Sequence, residues 1–232
     1  MTVYSDKKSV VLLSGGLDST VAFKKAFDVS RVVLVLTFDY GQRAAAKEIE
    51  AAASIARLYD VRHEVVKLSW LAEITDTAMV NRGQTLPKLS RTEIETGGEK
   101  TACSAKSVWV PNRNGVFINI AAAYCESLGA EIIITGFNAE EAATFPDNSP
   151  QFIDAVNSSL SYSILSEVEV ISPTSSLDKA GIVRLGLDID APLDRLWSCY
   201  EGGEKMCGIC EACVRLKRAL EGTGSDFLDI LF

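Results

Sequence analysis

Apolar residues along this chain recur with two periods in turn, one suited to strands and one to helices. Ser9–Leu13 is a short apolar run that breaks at once into Ser14-Gly15-Gly16, so it reads as a buried first strand. Asp18–Asp28 follows with helical spacing. Arg31-Val32-Val33-Leu34-Val35-Leu36-Thr37 is rich in β-branched residues and predicts a second strand. Arg43–Tyr59 is Ala-rich, with Lys47, Glu48 and Glu50 at helical spacing, and predicts a long helix. Val61–Lys67 is the third strand. This βαβαβ order predicts a parallel, doubly wound sheet with right-handed crossovers.

The pattern lapses over Asp76–Ser107, which is polar, contains Gly97-Gly98 and shows little periodicity. It is expected to be a long insertion, either a lid or an ordinary surface excursion, since long loops in folded domains are usually functional or disordered. Gly115–Leu128 then predicts a helix, Glu131–Gly136 a fourth strand and Gln151–Leu165 a helix. Val168–Ile171 is the fifth strand, and Leu177–Leu187 a further helix. The expected architecture is α/β: a doubly wound five-stranded parallel sheet, Rossmann-like, over residues 1–195. A small C-terminal metal module and final helix, 196–232, would pack on the same domain.

Ligands of open parallel sheets bind beyond the carboxyl ends of the strands, at the switch point. The Ser14 loop, Phe38-Asp39-Tyr40 and Gly136-Phe137-Asn138 all fall on that rim. In Leu13-Ser14-Gly15-Gly16-Leu17-Asp18-Ser19-Thr20 the glycines allow a tight turn and a close approach to a ligand. The helix start offers free N–H groups and the positive end of a dipole. Ser14, Ser19 and Thr20 add hydroxyl donors, so the loop suits phosphate. No Lys completes a G-x-x-x-x-G-K-[ST] frame, and the G-x-G-x-x-G spacing is absent.

Charge narrows the partners. Net charge is −8, whereas a generic nucleic-acid binder is usually basic; nucleic acid is not an expected partner, and a small nucleotide remains compatible. No apolar run reaches the ~20 residues of a membrane span. Met1–Lys8 lacks the apolar core of a signal peptide, so a cytoplasmic protein without a membrane partner is expected. The one histidine, His63, lies in a strand and reads as structural. A built-in Cys–His glutaminase would need more chain, so any nitrogen donor is ammonia, free or delivered by a partner.

Four of the six cysteines, Cys199, Cys207, Cys210 and Cys213, form C-x7-C-x2-C-x2-C. Clustering of this kind in a cytosolic chain favours metal over disulfides, and four thiolates suit a closed, structural zinc site. An iron–sulfur cluster is the alternative. Cys125 reads as core, and Cys103 is assigned no role.

The S-G-G-x-D-S loop resembles the pyrophosphatase loop of the N-type ATP pyrophosphatases, whose fold is of the adenine nucleotide alpha-hydrolase type. Further motifs follow in order: Phe38-Asp39-Tyr40-Gly41-Gln42-Arg43, Val110-Pro111-Asn112-Arg113-Asn114, Pro173–Lys179, and Trp197-Ser198-Cys199-Tyr200 leading to Cys207–Cys213. Together they resemble the 7-cyano-7-deazaguanine synthase family of queuosine precursor synthesis. The resemblance implies an ATP-dependent, C–N bond-forming ligase that converts 7-carboxy-7-deazaguanine and ammonia to the nitrile. It implies two adenylations, with an amide between them, and it implies bound zinc, catalytic magnesium and a homodimer. On this reading Leu13–Thr20 cradle the pyrophosphate, with Ser14 and Ser19 as donors and Asp18 orienting the loop or holding magnesium. Lys179 and Arg113 are candidate cations for the leaving group, Phe38 and Tyr40 flank adenine, with core packing the alternative reading of Phe38, and Gly136 borders the nucleotide.

The substrate side is expected at Asn138, Phe145 and Asp147. Here the chain departs from the resemblance, because Asn148-Ser149 stands where the family usually has Cys-Arg. Two alternatives therefore accompany the leading reading. One is a paralogue that passes the adenylated base to another acceptor, such as a protein amine. The other is a tRNA-modifying pyrophosphatase of the thiolase type.

Overall fold

Val10 and Val11, neighbours on one strand, are both fully buried, and so are Leu34, Val35 and Leu36. Successive strand residues point to opposite faces, so a run of this kind requires cover on both sides of the sheet. The computed structural model, which describes residues 4–221 and 226–232, supplies that cover. The elements are β1 (Tyr4–Leu12), α1 (Leu17–Val29), β2 (Ser30–Asp39), α2 (Ala45–Leu58), β3 (His63–Lys67), α3 (Ser69–Glu73), α4 (Arg91–Thr96), α5 (Glu99–Val108) and α6 (Arg113–Leu128). They continue with β4 (Ile132–Ile134), α7 (Ala139–Ala142), α8 (Pro150–Ser163), β5 (Glu169–Ile171), α9 (Lys179–Asp188), α10 (Glu211–Leu220) and α11 (Phe227–Leu231). The expectation of no leader at Met1–Lys8 rests in part on Met1–Val3, which lie outside the described residues.

The sheet has five strands in the order β3-β2-β1-β4-β5, and every pairing is parallel. Val10 stands beside Ile133 and Val11 beside Ile134, which fixes the register at the centre. One face packs Val10, Leu36 and Ile133 against Ile118, Ala121 and Cys125 of α6. The other packs Val11, Val35 and Ile134 against Phe23 and Ala26 of α1 and Ile55 of α2. The direction of winding reverses between β1 and β4, so the crevice opens at the carboxyl ends of those two strands.

The tail packs on the same body. Leu216 and Leu220 of α10 share a buried cluster with Leu17 and Val21 of α1 and with Ile182 and Val183 of α9. The 76–107 segment differs from the expected loop, because it contains α4 and most of α5. Ser90 and Glu93 form a reciprocal capping box that starts α4. Ala78, Met79, Leu86, Leu89 and Ile94 are buried. These apolar residues are spaced irregularly and pack against other elements, which is why no single period revealed them. Among the described residues, no helix is long and apolar enough to cross a membrane.

Candidate nucleotide and metal sites

The loop after β1 is shaped by close packing. Gly15 has φ +78°, and a Cβ there would lie 2.6 Å from the Ala51 side chain, so only glycine fits. Gly16 precedes α1, whose first turn leaves the Leu17, Asp18 and Ser19 N–H groups without helical acceptors. Ser19 ties the loop together: its Oγ accepts from Ser14 N at 3.2 Å and lies 3.1 Å from Ser14 Oγ. Gly136, at the end of the neighbouring strand, lets this loop approach. A Cβ on Gly136 would sit 2.6 Å from Ser19 N.

A cavity of about 320 Å³ opens in front of this loop. It is lined by Leu13, Ser14, Gly16, Leu17, Asp18, Ser19, Phe38, Tyr40, Arg113, Gly136, Phe145, Asp147 and Lys179, so most of the expected site residues converge. Three do not line it. Gly15 lies behind the loop against α2. Thr20, one helical step beyond Ser19, turns its hydroxyl into the protein, where Oγ1 has no hydrogen-bond partner. Asn138 is fully buried and caps α7, its side chain accepting from Glu141 N at 2.9 Å.

The electrostatic centre is Lys179. Its Nζ is 2.5 Å from Asp18 Oδ2 and 2.5 Å from Glu141 Oε1. Burial pushes the Asp18 carboxyl up to about 6, against the pull of Lys179. Burial also opposes ionisation of Glu141, but Lys179 outweighs it and holds that group below the usual range. Burial disfavours charge on Lys179 itself, and the two carboxylates override this and keep it protonated. Asp18 Oδ1 is buried without a hydrogen-bond partner. An orphaned carboxylate oxygen beside a second acidic side chain, facing a phosphate-sized space, fits a hard divalent cation such as magnesium.

Arg113, from the start of α6, donates from Nη1 to Tyr40 Oη at 3.2 Å. Phe38 stacks on Phe117, with ring centroids 4.0 Å apart and planes 5° apart. Asn114 Nδ2 donates to the Asp147 carbonyl at 3.2 Å, and burial raises the Asp147 side chain. Asn148 lines the cavity, whereas Ser149 caps α8 by accepting from Phe152 N.

Sequence reasoning missed several lining residues. Glu141 lies in the segment singled out above, yet a four-residue helix gives no periodic signal. Arg215 and Glu211 come from α10; Arg215 joins Glu211 Oε1 at 2.6 Å and Glu140 Oε1 at 2.5 Å. Arg218 joins the same Glu140 at 2.5 Å. His63 behaves as expected of a structural residue: Nε2 lies 2.8 Å from Thr37 Oγ1, and Thr37 Oγ1 donates to Leu13 O at 2.6 Å.

The four tail cysteines converge, with every sulfur within 4.8 Å of the others. Cys207 and Cys213 Sγ are 3.9 Å apart, close to the about 3.8 Å separation of tetrahedral thiolates at a Zn–S distance of about 2.3 Å. Backbone N–H groups of Glu201 and Cys207 point at Cys199 Sγ, at 3.3 and 3.4 Å. The module also touches the loop: Trp197 N donates to Gly15 O at 2.8 Å, and Lys47 lies over the Trp197 ring.

Fold, loop and cysteine cluster together define a PP-loop-type α/β protein, a nucleotide-binding fold with a metal-binding tail. Residues 8–224 match the model of the family described as "Queuosine biosynthesis protein QueC". The chain belongs to that family. It is 54% identical to the 7-cyano-7-deazaguanine synthase of Carboxydothermus hydrogenoformans over 93% of this chain and 99% of that protein. The synthase of Bdellovibrio bacteriovorus is 50% identical over 95% and 96% of the two chains. That of Methanosarcina mazei is 46% identical over 94% and 95%. Among solved structures, NMN synthetase from Francisella tularensis aligns with 84% of this chain and 66% of its own, at 14% identity and a TM-score of 0.46.

Proposed function

We propose that this chain converts 7-carboxy-7-deazaguanine and ammonia to 7-cyano-7-deazaguanine, using ATP through adenylated intermediates. The observation that carries the reading is the placement of Lys179, Asp18 and Glu141 beside the unpaired N–H groups at the start of α1. Adenylation needs stabilisation of charge on phosphates more than a covalent nucleophile. The relatives named above bear the name of this activity.

In the proposed first step a carboxylate oxygen attacks the α-phosphorus of ATP, and the bond to the β-phosphate oxygen breaks. Pyrophosphate leaves into the loop formed by Ser14, Gly16, Leu17, Asp18 and Ser19. Lys179 stays protonated and offsets its negative charge. Asp18 Oδ1 and Glu141 would hold magnesium, which when bound neutralises phosphate charge. Ammonia then displaces AMP and leaves the amide. The amide oxygen is adenylated in turn, and loss of AMP with the remaining amide protons gives the nitrile.

Zinc is the proposed occupant of Cys199, Cys207, Cys210 and Cys213, supported by the close spacing of the sulfurs. Its role is to hold the tail, and with it Trp197, against the nucleotide loop. The proposal is tested by mass detection of the base product after incubation with the 7-carboxy base and ATP. Nitrile is expected when ammonia is supplied and not when it is withheld. Absence of nitrile and AMP in both incubations would refute the proposal.

A further inference from the structure

Three cations line the cavity: Lys179, Arg215 and Arg113. Two are matched within the protein. Lys179 is paired with Asp18 and Glu141, and Arg215 with Glu140 and Glu211. Arg113 is not matched. Among the described residues no carboxylate comes within 4.0 Å of its guanidinium, and its one side-chain hydrogen bond goes to the Tyr40 hydroxyl at 3.2 Å.

A guanidinium presents five N–H donors in a planar fork, and a phenol oxygen accepts one of them. Asp147 and Glu141, which line the same cavity, attract Arg113 only from beyond ion-pair distance. A half-buried arginine that faces a cavity without a direct counter-ion is built to meet an anion. The surroundings indicate which anion. The phosphate side of the cavity already has Lys179, held at the loop by Asp18. Arg113 instead sits by the aromatic wall: its guanidinium lies 5.9 Å from the Tyr40 ring centroid, and Tyr40 lies against Phe117, which stacks on Phe38. That wall suits a planar base rather than a polyphosphate. Asp147, expected on the substrate side, acts on Arg113 across the same cavity, so the wall is assigned here to the substrate base in place of the adenine expected of Phe38 and Tyr40.

We propose that Arg113 receives the carboxylate of the acid substrate and thereby selects an aromatic acid over neutral analogues of the same base. The proposal deepens the adenylation reading and rests on it. A fork of N–H donors can hold one carboxylate oxygen and leave the other free to attack phosphorus. The assignment also distinguishes the two halves of the reaction, because the second starts from a carboxamide that carries no charge.

The test compares the two halves in Arg113→Gln. One assay follows the acid with ATP and ammonia to the amide, and the other follows the amide with ATP to the nitrile. We expect kcat/KM for the acid to fall about 10- to 100-fold, mainly through KM, as for loss of a hydrogen bond to a charged group. The amide half should fall by clearly less than the acid half, as for loss of a hydrogen bond to a neutral group, and an unaltered melting temperature shows that the variant is folded. Arg113→Lys should restore part of the acid half, since it keeps the charge and loses the fork. Equal losses in both halves would overturn the proposal and place Arg113 on the triphosphate or in the framework. An unchanged acid half would overturn it as well. Failure of the unaltered protein with both substrates is a separate result, which would reject the adenylation reading and this proposal together.

Discussion

Lys179 and Asp18 are 161 positions apart in the chain, yet Lys179 Nζ lies 2.5 Å from Asp18 Oδ2. The contact spans the sheet's switch point, joining the helix after β1 to the helix after β5. It draws in Glu141 from the segment after β4, so segments following three different strands meet at one ammonium group. The balance there is one cation against two carboxylates. The pair is stabilised only while the lysine is present.

Lys179→Met should therefore destabilise the fold by about 1–3 kcal/mol, because two half-buried carboxylates lose their shared counter-charge. Urea unfolding measures this. Adding Asp18→Asn to the same chain should recover a large part of the stability and none of the pyrophosphate release. A double variant as unstable as the single one would show that the two residues are not coupled.

The raised Asp18 carboxyl sets the pH dependence. Above about pH 6 the group is ionised and able to hold a cation; below it, the group takes up a proton. Turnover at low magnesium should fall as pH drops through about 6. Magnesium competes with the proton, so raising its concentration should move this limb to lower pH. A limb that ignores magnesium would separate Asp18 from metal binding.

Gly136→Ala tests the approach of the two strand ends. Its Cβ would lie 2.6 Å from Ser19 N, which is backbone and cannot swing aside. Overpacking of this kind costs about 1–3 kcal/mol. We expect a lowered melting temperature and weaker ATP binding by calorimetry, because the loop must shift. Unchanged ATP affinity would show that the loop tolerates displacement.

The cysteine module is expected to act on the loop through Trp197. Cys210→Ser, or metal removal by a chelator, should lower the melting temperature and weaken nucleotide binding together, since Trp197 N holds Gly15 O. Metal analysis should find one zinc per chain in the unaltered protein. Full ATP affinity in a metal-free chain would mean that the tail is merely attached.

Much of this arrangement was legible in the residues. The strand runs at Val10–Leu13, Val32–Leu36 and Ile132–Ile134 are apolar on both faces, and that alone implies a covered parallel sheet. The glycines at 15 and 16 and the four cysteines mark backbone and ligand geometry that few other residues allow. Chemistry assembled by packing was not legible. Glu141 and Arg215 reach the cavity from a four-residue helix and from the tail, and no spacing connects them to Ser14. Thr20 lies away from the cavity because motif membership says nothing of helical phase; one step of about 100° turns it from the cavity into the core. Asn138 is placed for a related reason, since a buried Asn at a helix start serves the backbone first.

The central claim is that the substrate's own oxygen becomes bonded to the α-phosphorus of ATP. Isotope transfer tests this most directly. With both carboxylate oxygens of the 7-carboxy base labelled with ¹⁸O, mass spectrometry of the released nucleotide should show AMP carrying one labelled oxygen, in both rounds of turnover. Unlabelled AMP, or label in inorganic phosphate alongside ADP, would contradict the account.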